Sequence, residues 1–305
     1  MTTTRAGSGG LEAIARPDGT LSILAMDQRN TLRRMLEAAS QPIDAETMRA
    51  FKVDVTAALS PAASGVLLDP DLGVPAVEAA GARAESCGLL VAAEPAERQS
   101  FEGEPRAGRQ PGRDGAMVLA AGGHACKFLV QLRPDRPRRP GAPDLAGEVV
   151  ETVRAVVEDC RQAGVPSVIE TLLYLLPGET ALGERQHEDL VVESARLLGE
   201  LGPDLLKLEY PGSEQGCARV AEAVSCPWAV LSAGAPIEAF EDRIRIACDA
   251  GGASGFIAGR AFWKEAVAMS VPERRDFLGG EARRRLEAST ALLEGRARPW
   301  FAAVA

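Results

Sequence analysis

Histidine is almost missing from this chain: His124 and His187 are the only two in 305 residues. No H-E-x-x-H or other paired-histidine motif occurs, so a His-rich catalytic zinc site and metal-dependent hydrolysis are not expected. Cysteine is present but unorganised. Cys87, Cys126, Cys160, Cys217, Cys226 and Cys248 form no C-x-x-C and no regular spacing, and Cys126 and Cys160 fall inside apolar runs. They read as buried free thiols of a reducing cytosol. The glycine signatures G-x-G-x-x-G and G-x-x-x-x-G-K-[ST] are absent, which removes the sequence argument for a nucleotide fold. No apolar run approaches the ~20 residues of a membrane helix. The opening MTTTRAGSGG has no signal-peptide core. The expectation is a soluble cytoplasmic protein with no membrane partner. Positive charge is also short: Lys and Arg total 34 against 43 Asp and Glu, a net −9. Nucleic acid is therefore not an expected partner, because neutralising phosphates needs a basic face. A small anion bound in a locally basic pocket stays open.

What the chain does contain is a series of short apolar runs separated by helical stretches, the pattern of a parallel sheet. The strands read as Leu21–Met26, Gly65–Leu68, Gly88–Ala92, Ala125–Leu132, Val165–Glu170, Asp204–Glu209, Trp228–Leu231 and Ser254–Ala258. Helices are expected at Thr31–Ala38, at Asp44–Leu59 with Asp44 as N-cap, and at Pro75–Ser86. Val149, Val150, Val153, Val156, Val157 and Cys160 lie on one face of a helix that stops near Gly164. Leu190–Leu201, Ile237–Ala250 and a final amphipathic Gly280–Leu293 complete the set. Residues 95–115 and 133–143, rich in Pro, Gly and Arg, read as long polar loops. Eight strands with intervening helices and no internal repeat predict an α/β fold: one (β/α)8 TIM barrel over residues 1–305, with an extra C-terminal helix and a mobile stretch at 1–15.

A barrel builds its active site at the C-terminal ends of its strands. Asp27, Gln28 and Arg29 follow strand 1, Asp69 follows strand 2 and Glu94 lies just past strand 3. Lys127, Glu170 and Lys207 sit on strands 4, 5 and 6. Lys207 stands alone in the apolar run Leu205-Leu206-Lys207-Leu208, and burial disfavours a cation and so favours the neutral amine that attacks carbonyls. The plainer reading of each lysine is a snorkelling or carboxylate-paired side chain, and Glu170 or Asp27 can equally cap a helix. Small residues at the ends of strands 7 and 8, Ser232, Gly234 and Gly259, lie where barrels commonly seat a phosphate, and Arg260 offers it a bidentate partner.

Several segments together resemble a known family: Ala25-Met26-Asp27-Gln28-Arg29, Phe51-Lys52-Val53, Ala58-Leu59-Ser60-Pro61, Leu68-Asp69-Pro70, Cys87-Gly88-Leu89-Leu90 and Lys127-Phe128-Leu129. Ile169-Glu170, Leu206-Lys207-Leu208-Glu209-Tyr210-Pro211, Leu231-Ser232-Ala233-Gly234 and Gly252-Ala253-Ser254-Gly255-Phe256 through Gly259-Arg260-Ala261-Phe262-Trp263 extend the match over about residues 20–265. The chain resembles the class I ketose-phosphate aldolases of the tagatose-1,6-bisphosphate type, and within them the sulfofructosephosphate aldolases. The resemblance implies Lys207 as the Schiff-base lysine, with Lys127 and Glu170 as neighbouring charge and proton-transfer groups. It implies Ser232, Gly234, Gly259 and Arg260 as the phosphate seat, and Asp27 and Gln28 as contacts to substrate hydroxyls. Asp69, Arg29 and Arg133 are further candidates for substrate contact, the two arginines at its distal end. Leu208 and Tyr210 depart from the smaller residues more usual in the family. Leu132-Arg133-Pro134-Asp135 resembles the sulfosugar branch, whereas Leu68-Asp69-Pro70-Asp71 and Gly73-Val74-Pro75-Ala76 resemble the tagatose branch.

The expected activity is a reversible, metal-independent retro-aldol cleavage of a ketose 1-phosphate to dihydroxyacetone phosphate and an aldehyde. The iminium serves as electron sink, so no cofactor is expected. Two alternatives stand beside it: a deoxyribose-phosphate or 2-keto-acid aldolase on the same barrel, or a non-catalytic sugar-phosphate sensor. By analogy with such barrels, a homo-oligomer is expected.

Overall fold

Parallel pairing closes on itself. In the computed structural model, which describes residues 10–303, the eight strands are β1 Leu21–Met26, β2 Gly65–Leu68, β3 Gly88–Ala92, β4 Ala125–Gln131, β5 Ser167–Leu172, β6 Leu205–Leu208, β7 Trp228–Val230 and β8 Gly255–Ala258. Each pairs in parallel with its sequence neighbour, and β1 pairs with β8 from Leu21↔Gly255 to Leu24↔Ala258. The result is a closed eight-stranded barrel with an outer ring of helices. Every residue of β2, β3, β6, β7 and β8 is buried, because one face meets the barrel interior and the other the helices.

Alternation along the strands sorts the core in two. Leu21, Ile23, Ala25, Leu67, Leu90, Ala92, Ala125, Val168, Leu205, Ala229 and Ile257 fill the barrel. Leu24, Leu68, Val91, Phe128, Ile169, Leu206 and Leu208 face the helices. The lower end of the barrel is plugged by the 3-10 turn Leu11–Ile14, whose Leu11 and Ile14 are buried. That corrects the expected mobile stretch at 1–15 for its second part: two apolar side chains have a place under the sheet. Residues 1–9 lie outside the described residues.

The helices are α1 Asn30–Ala38, α2 Ala45–Leu59, α3 Gly73–Ala79, α4 Gly115–Ala120, α5 Leu145–Ala163, α6 Glu184–Gly199, α7 Glu214–Ala223 and α8 Ile237–Gly251. Asp44 caps α2 by accepting the Thr47 amide at 2.9 Å. The valine stripe of α5 is buried as its period predicts except at Val150, which lies at the edge of the face, and the helix ends at Gly164 with φ of 72°. Helix α3 stops at Ala79, short of the expected Ser86. Helix α7, which no periodicity announced, lies between β6 and β7. After β8 come the short α9 Arg260–Trp263, then α10 Val271–Phe277 and α11 Arg283–Ala291, joined by a π-helical turn. This C-terminal unit is locked to α2: Asp54 accepts from Arg274 Nε at 2.9 Å, and the Arg274 guanidinium lies 5.3 Å from the centre of the Phe51 ring.

The two polar loops are more structured than their composition suggests. Residues 95–115 contain a two-stranded hairpin, Ser100–Phe101 with Glu104–Pro105. Glu104 is buried and accepts two hydrogen bonds from Arg136 in the other loop. The loops therefore hold each other by a bidentate ion pair. Among the described residues, no helix is long and apolar enough to cross a membrane.

Candidate active site

Inward alternation carries past the apolar layer and turns polar at the C-terminal mouth. Asp27 continues the β1 series 21, 23, 25; Glu94 continues β3 after Leu90 and Ala92; Lys127 follows Ala125, Glu170 follows Val168, and Lys207 follows Leu205. Register then brings two of them side by side, since Glu170 pairs with Lys207 across β5 and β6.

The contacts form one chain of charge. Lys207 Nζ lies 3.0 Å from Glu170 Oε1, and the other oxygen of Glu170 is 2.8 Å from Lys127 Nζ. Lys127 Nζ also donates to Asp27 Oδ2 and to Glu94 Oε1, each at 2.8 Å. Glu94 Oε2 accepts the Leu129 amide at 3.1 Å. All five side chains are nearly excluded from solvent. Buried charges survive only when paired in this way.

Burial by itself would lower the pKa of Lys127, but Asp27, Glu170 and Glu94 outweigh it and hold the ammonium well above its ordinary value. Burial would likewise raise Glu170, yet Lys127 and Lys207 bring it below the usual carboxylate value. The same contest leaves Asp27 well below it, with Lys127 and Lys207 prevailing over burial. Lys127 is thus a fixed cation, whereas Lys207 has a single ionised acceptor beside it. Among the described residues, Asp27 Oδ1 and Gln28 Oε1 have no hydrogen-bond partner.

Above this layer opens a cavity of about 550 Å³ lined by Asp27, Gln28, Glu94, Lys127, Glu170 and Lys207. A smaller lobe of about 200 Å³ adjoins it, with Gln28, Glu170, Leu172, Lys207 and Arg260 common to both. Lys207 stands where the two meet. Ser232 and Gly259 line the smaller lobe. Gly259 is required there by close approach, because a Cβ at that position would stand 1.8 Å from the Ala25 carbonyl oxygen. In the β7–α8 turn Ala233 and Gly234 both have positive φ, 51° and 80°. A Cβ on Gly234 would stand 3.6 Å from Arg260 Cζ, so the turn and the guanidinium are neighbours. Lys264 braces the turn by donating to the Gly234 carbonyl at 3.0 Å. Arg260 has no carboxylate partner among the described residues.

Two expected substrate contacts are corrected. Arg133 is 1% exposed and consumed by Asp135, Glu179 and the Tyr174 carbonyl, away from the cavity lining. Asp69 is fully buried, 2.7 Å from Lys52 Nζ, and accepts the Leu72 amide. Lys52, from α2, also donates to the Met26 and Gln28 carbonyls at 2.7 and 2.9 Å. The Lys52–Asp69 pair therefore supports the start of the rim. Arg29 does line the cavity, but it is tied to the Glu94 carbonyl and to Asp71. Sequence reasoning placed Glu94 at the barrel mouth without giving it a role, and it gave Lys52 none. Continued alternation past β3 was the signal for Glu94. A lysine on the buried stripe of α2, with Met48, Phe51 and Val55, was the signal for Lys52.

The profile of the DeoC/LacD family aldolases matches residues 21–265. A tagatose 1,6-diphosphate aldolase of Staphylococcus haemolyticus (strain JCSC1435) is 27% identical, covering 99% of this chain and 100% of its own length. A tagatose 1,6-diphosphate aldolase 2 of Enterococcus faecalis (strain ATCC 700802 / V583) is also 27% identical, over 100% of this chain and 98% of its own. In fold, an archaeal fructose 1,6-bisphosphate aldolase superposes with a TM-score of 0.62 at 20% identity, covering 93% of this chain and 98% of its own. A Schiff-base-forming fructose-1,6-bisphosphate aldolase gives 0.62 at 19% identity, over 92% and 97%. With a family match spanning the barrel from its first strand to the turn after its last, the chain belongs to the DeoC/LacD family of aldolases.

Proposed function

We propose that the protein is a class I aldolase that cleaves a ketose 1-phosphate, bearing a second anion at its far end, to dihydroxyacetone phosphate and an anionic aldehyde. The observation that carries this reading is the chain Lys207–Glu170–Lys127 at the mouth of the barrel. Family membership makes the protein an aldehyde-lyase, which leaves the non-catalytic sensor without support.

The chemistry follows from the contacts. Glu170, ionised and 3.0 Å from Lys207 Nζ, takes the ammonium proton and leaves a free amine. The amine adds to the C2 carbonyl, and loss of water from the carbinolamine gives the iminium. Asp27, held by Lys127 through one oxygen and unpartnered at the other, takes the C4 hydroxyl proton. The C3–C4 electrons move into the iminium, the aldehyde departs, and an enamine remains. Protonation at C3 and addition of water release dihydroxyacetone phosphate and restore Lys207. The chemistry draws on no cofactor. Lys127 holds Asp27, Glu94 and Glu170 together beside the reaction.

The two ends of the cavity support a doubly anionic substrate. Arg260, beside Ser232, Gly234 and Gly259, suits the C1 phosphate. Arg34 and Arg98 line the larger part of the cavity and not the smaller lobe. Arg34 contacts Thr31 Oγ1 at 3.4 Å and Arg98 contacts Gln131 Oε1 at 3.0 Å, neither with a carboxylate partner among the described residues. Tagatose 1,6-bisphosphate and 6-deoxy-6-sulfofructose 1-phosphate both meet this description. Borohydride added with dihydroxyacetone phosphate should reduce an adduct onto Lys207, and turnover of the two ketoses should differ from that of ketose 1-phosphates with a neutral end. An unmodified Lys207, with cleavage surviving Lys207→Ala, removes the reading.

A further inference from the structure

Dehydration of the carbinolamine is the step the chain of charge serves least. The C2 hydroxyl leaves as water only if an acid supplies a proton. Asp27 and Glu170 are both held below the usual carboxylate range, and Glu94 is fastened between Lys127 and the Leu129 amide. Neither Asp27 nor Glu170 is a resting acid.

We propose that Glu209 is a further catalytic residue, the acid that protonates the departing C2 hydroxyl from the phosphate-side wall of the cavity. This rests on the Schiff-base reading above. Glu209 lies two residues beyond Lys207, in the inward series Leu205, Lys207, Glu209, and lines the smaller lobe together with Lys207 and Arg260. It is in no salt bridge among the described residues. Among the described residues its side chain makes one hydrogen bond, from the Leu173 amide to Oε2 at 2.7 Å, which leaves Oε1 to carry a proton. Burial is the main cause that raises its pKa, and the charge of Glu170 adds to it; the Leu173 amide and His187 pull the other way without prevailing. Glu209 also lines a separate groove of about 1020 Å³ with His187, Tyr210 and Arg243. Glu209 therefore borders both the lobe and the groove. In the step, the Glu209 proton passes to the C2 hydroxyl, the C–O bond breaks to release water, and the nitrogen lone pair forms the iminium. The Glu209 carboxylate then recovers a proton from the groove.

The test follows iminium formation itself, since borohydride reduces the iminium and not the carbinolamine. Rapid mixing with dihydroxyacetone phosphate and timed borohydride quenching are carried out on wild type, Glu209→Gln and Glu209→Asp. Dissociation constants for dihydroxyacetone phosphate and thermal midpoints are measured in parallel. Glu209→Gln is expected to form the Lys207 iminium about 10²-fold more slowly or worse, with dihydroxyacetone phosphate still bound, and Glu209→Asp to recover part of the rate. The wild-type rate should fall as pH rises through the carboxyl's raised pKa, a limb that Glu209→Gln lacks. Wild-type rates in Glu209→Gln, or an unchanged pH limb, would overturn the assignment and leave the acid role to Glu170 after it has taken the Lys207 proton. Should Glu209→Gln fail to fold, the Glu209→Asp rate and the wild-type pH limb decide. If wild type traps nothing on Lys207, the Schiff-base reading itself fails.

Discussion

Lys207 meets one carboxylate where Lys127 meets three. The two ammonium groups share Glu170, at 3.0 and 2.8 Å, and Lys127 adds Asp27 and Glu94. Two lysines on adjacent inward positions of one barrel thus have different capacities. Lys127 is locked as a cation, and Lys207 has Glu170 as its one salt-bridge partner among the described residues.

Removal of the amine should therefore abolish activity without dismantling the site. In Lys207→Ala, Glu170 keeps Lys127 at 2.8 Å. Cleavage should fall by about 10⁴-fold or more while circular dichroism and the thermal midpoint stay close to wild type.

Lys127→Met should behave in the opposite way. It strands three buried carboxylates without their common cation, a change that costs about 3–5 kcal/mol when one partner of a buried pair is lost. Denaturant unfolding measures it. The pH sign is specific. In wild type, Asp27 and Glu170 have folded pKa values below their ordinary 3.8 and 4.5, so their stabilisation is present above those values and is lost as pH falls through the folded ones. Lys127, raised above 10.5, contributes fully below that value and loses its contribution only as pH rises through its folded pKa. Lys127→Met should lose stability chiefly at neutral pH and recover part of it in acid, where the stranded carboxylates protonate.

Arginines from different parts of the chain should separate by role. Arg34→Gln and Arg98→Gln should each raise KM for a bis-anionic ketose by about tenfold, one charge-assisted contact, with kcat little changed. Arg133→Gln should leave KM alone and lower the thermal midpoint, since its partners Asp135 and Glu179 lie outside the cavity. Equal KM shifts from all three would contradict the placement.

Gly259→Ala tests the phosphate end. The added Cβ would meet the Ala25 carbonyl at 1.8 Å, backbone against backbone, so β8 and β1 must part. A loss of about 3 kcal/mol in stability is expected. Phosphate-dependent inhibition should weaken with it.

Local pattern was enough for much of this protein. Short apolar runs broken by turns yield eight strands, and a lysine amid leucines marks Lys207 as an inward residue of β6. Strand ends also marked Asp27, Lys127, Glu170 and Arg260, because position along a strand is a local property. What local pattern could not supply is which charges are already spent. Arg133 looked free for a substrate but is consumed by Glu179, forty-six residues on. Asp69 looked like a rim carboxylate but belongs to Lys52, a residue of an outer helix. Lys127 joins Asp27, Glu94 and Glu170 only because closure of the barrel brings β1, β3 and β5 around β4. Burial direction follows from a two-residue period within one strand; the pairing of buried charges follows from contacts between distant segments, and only the closed barrel decides those.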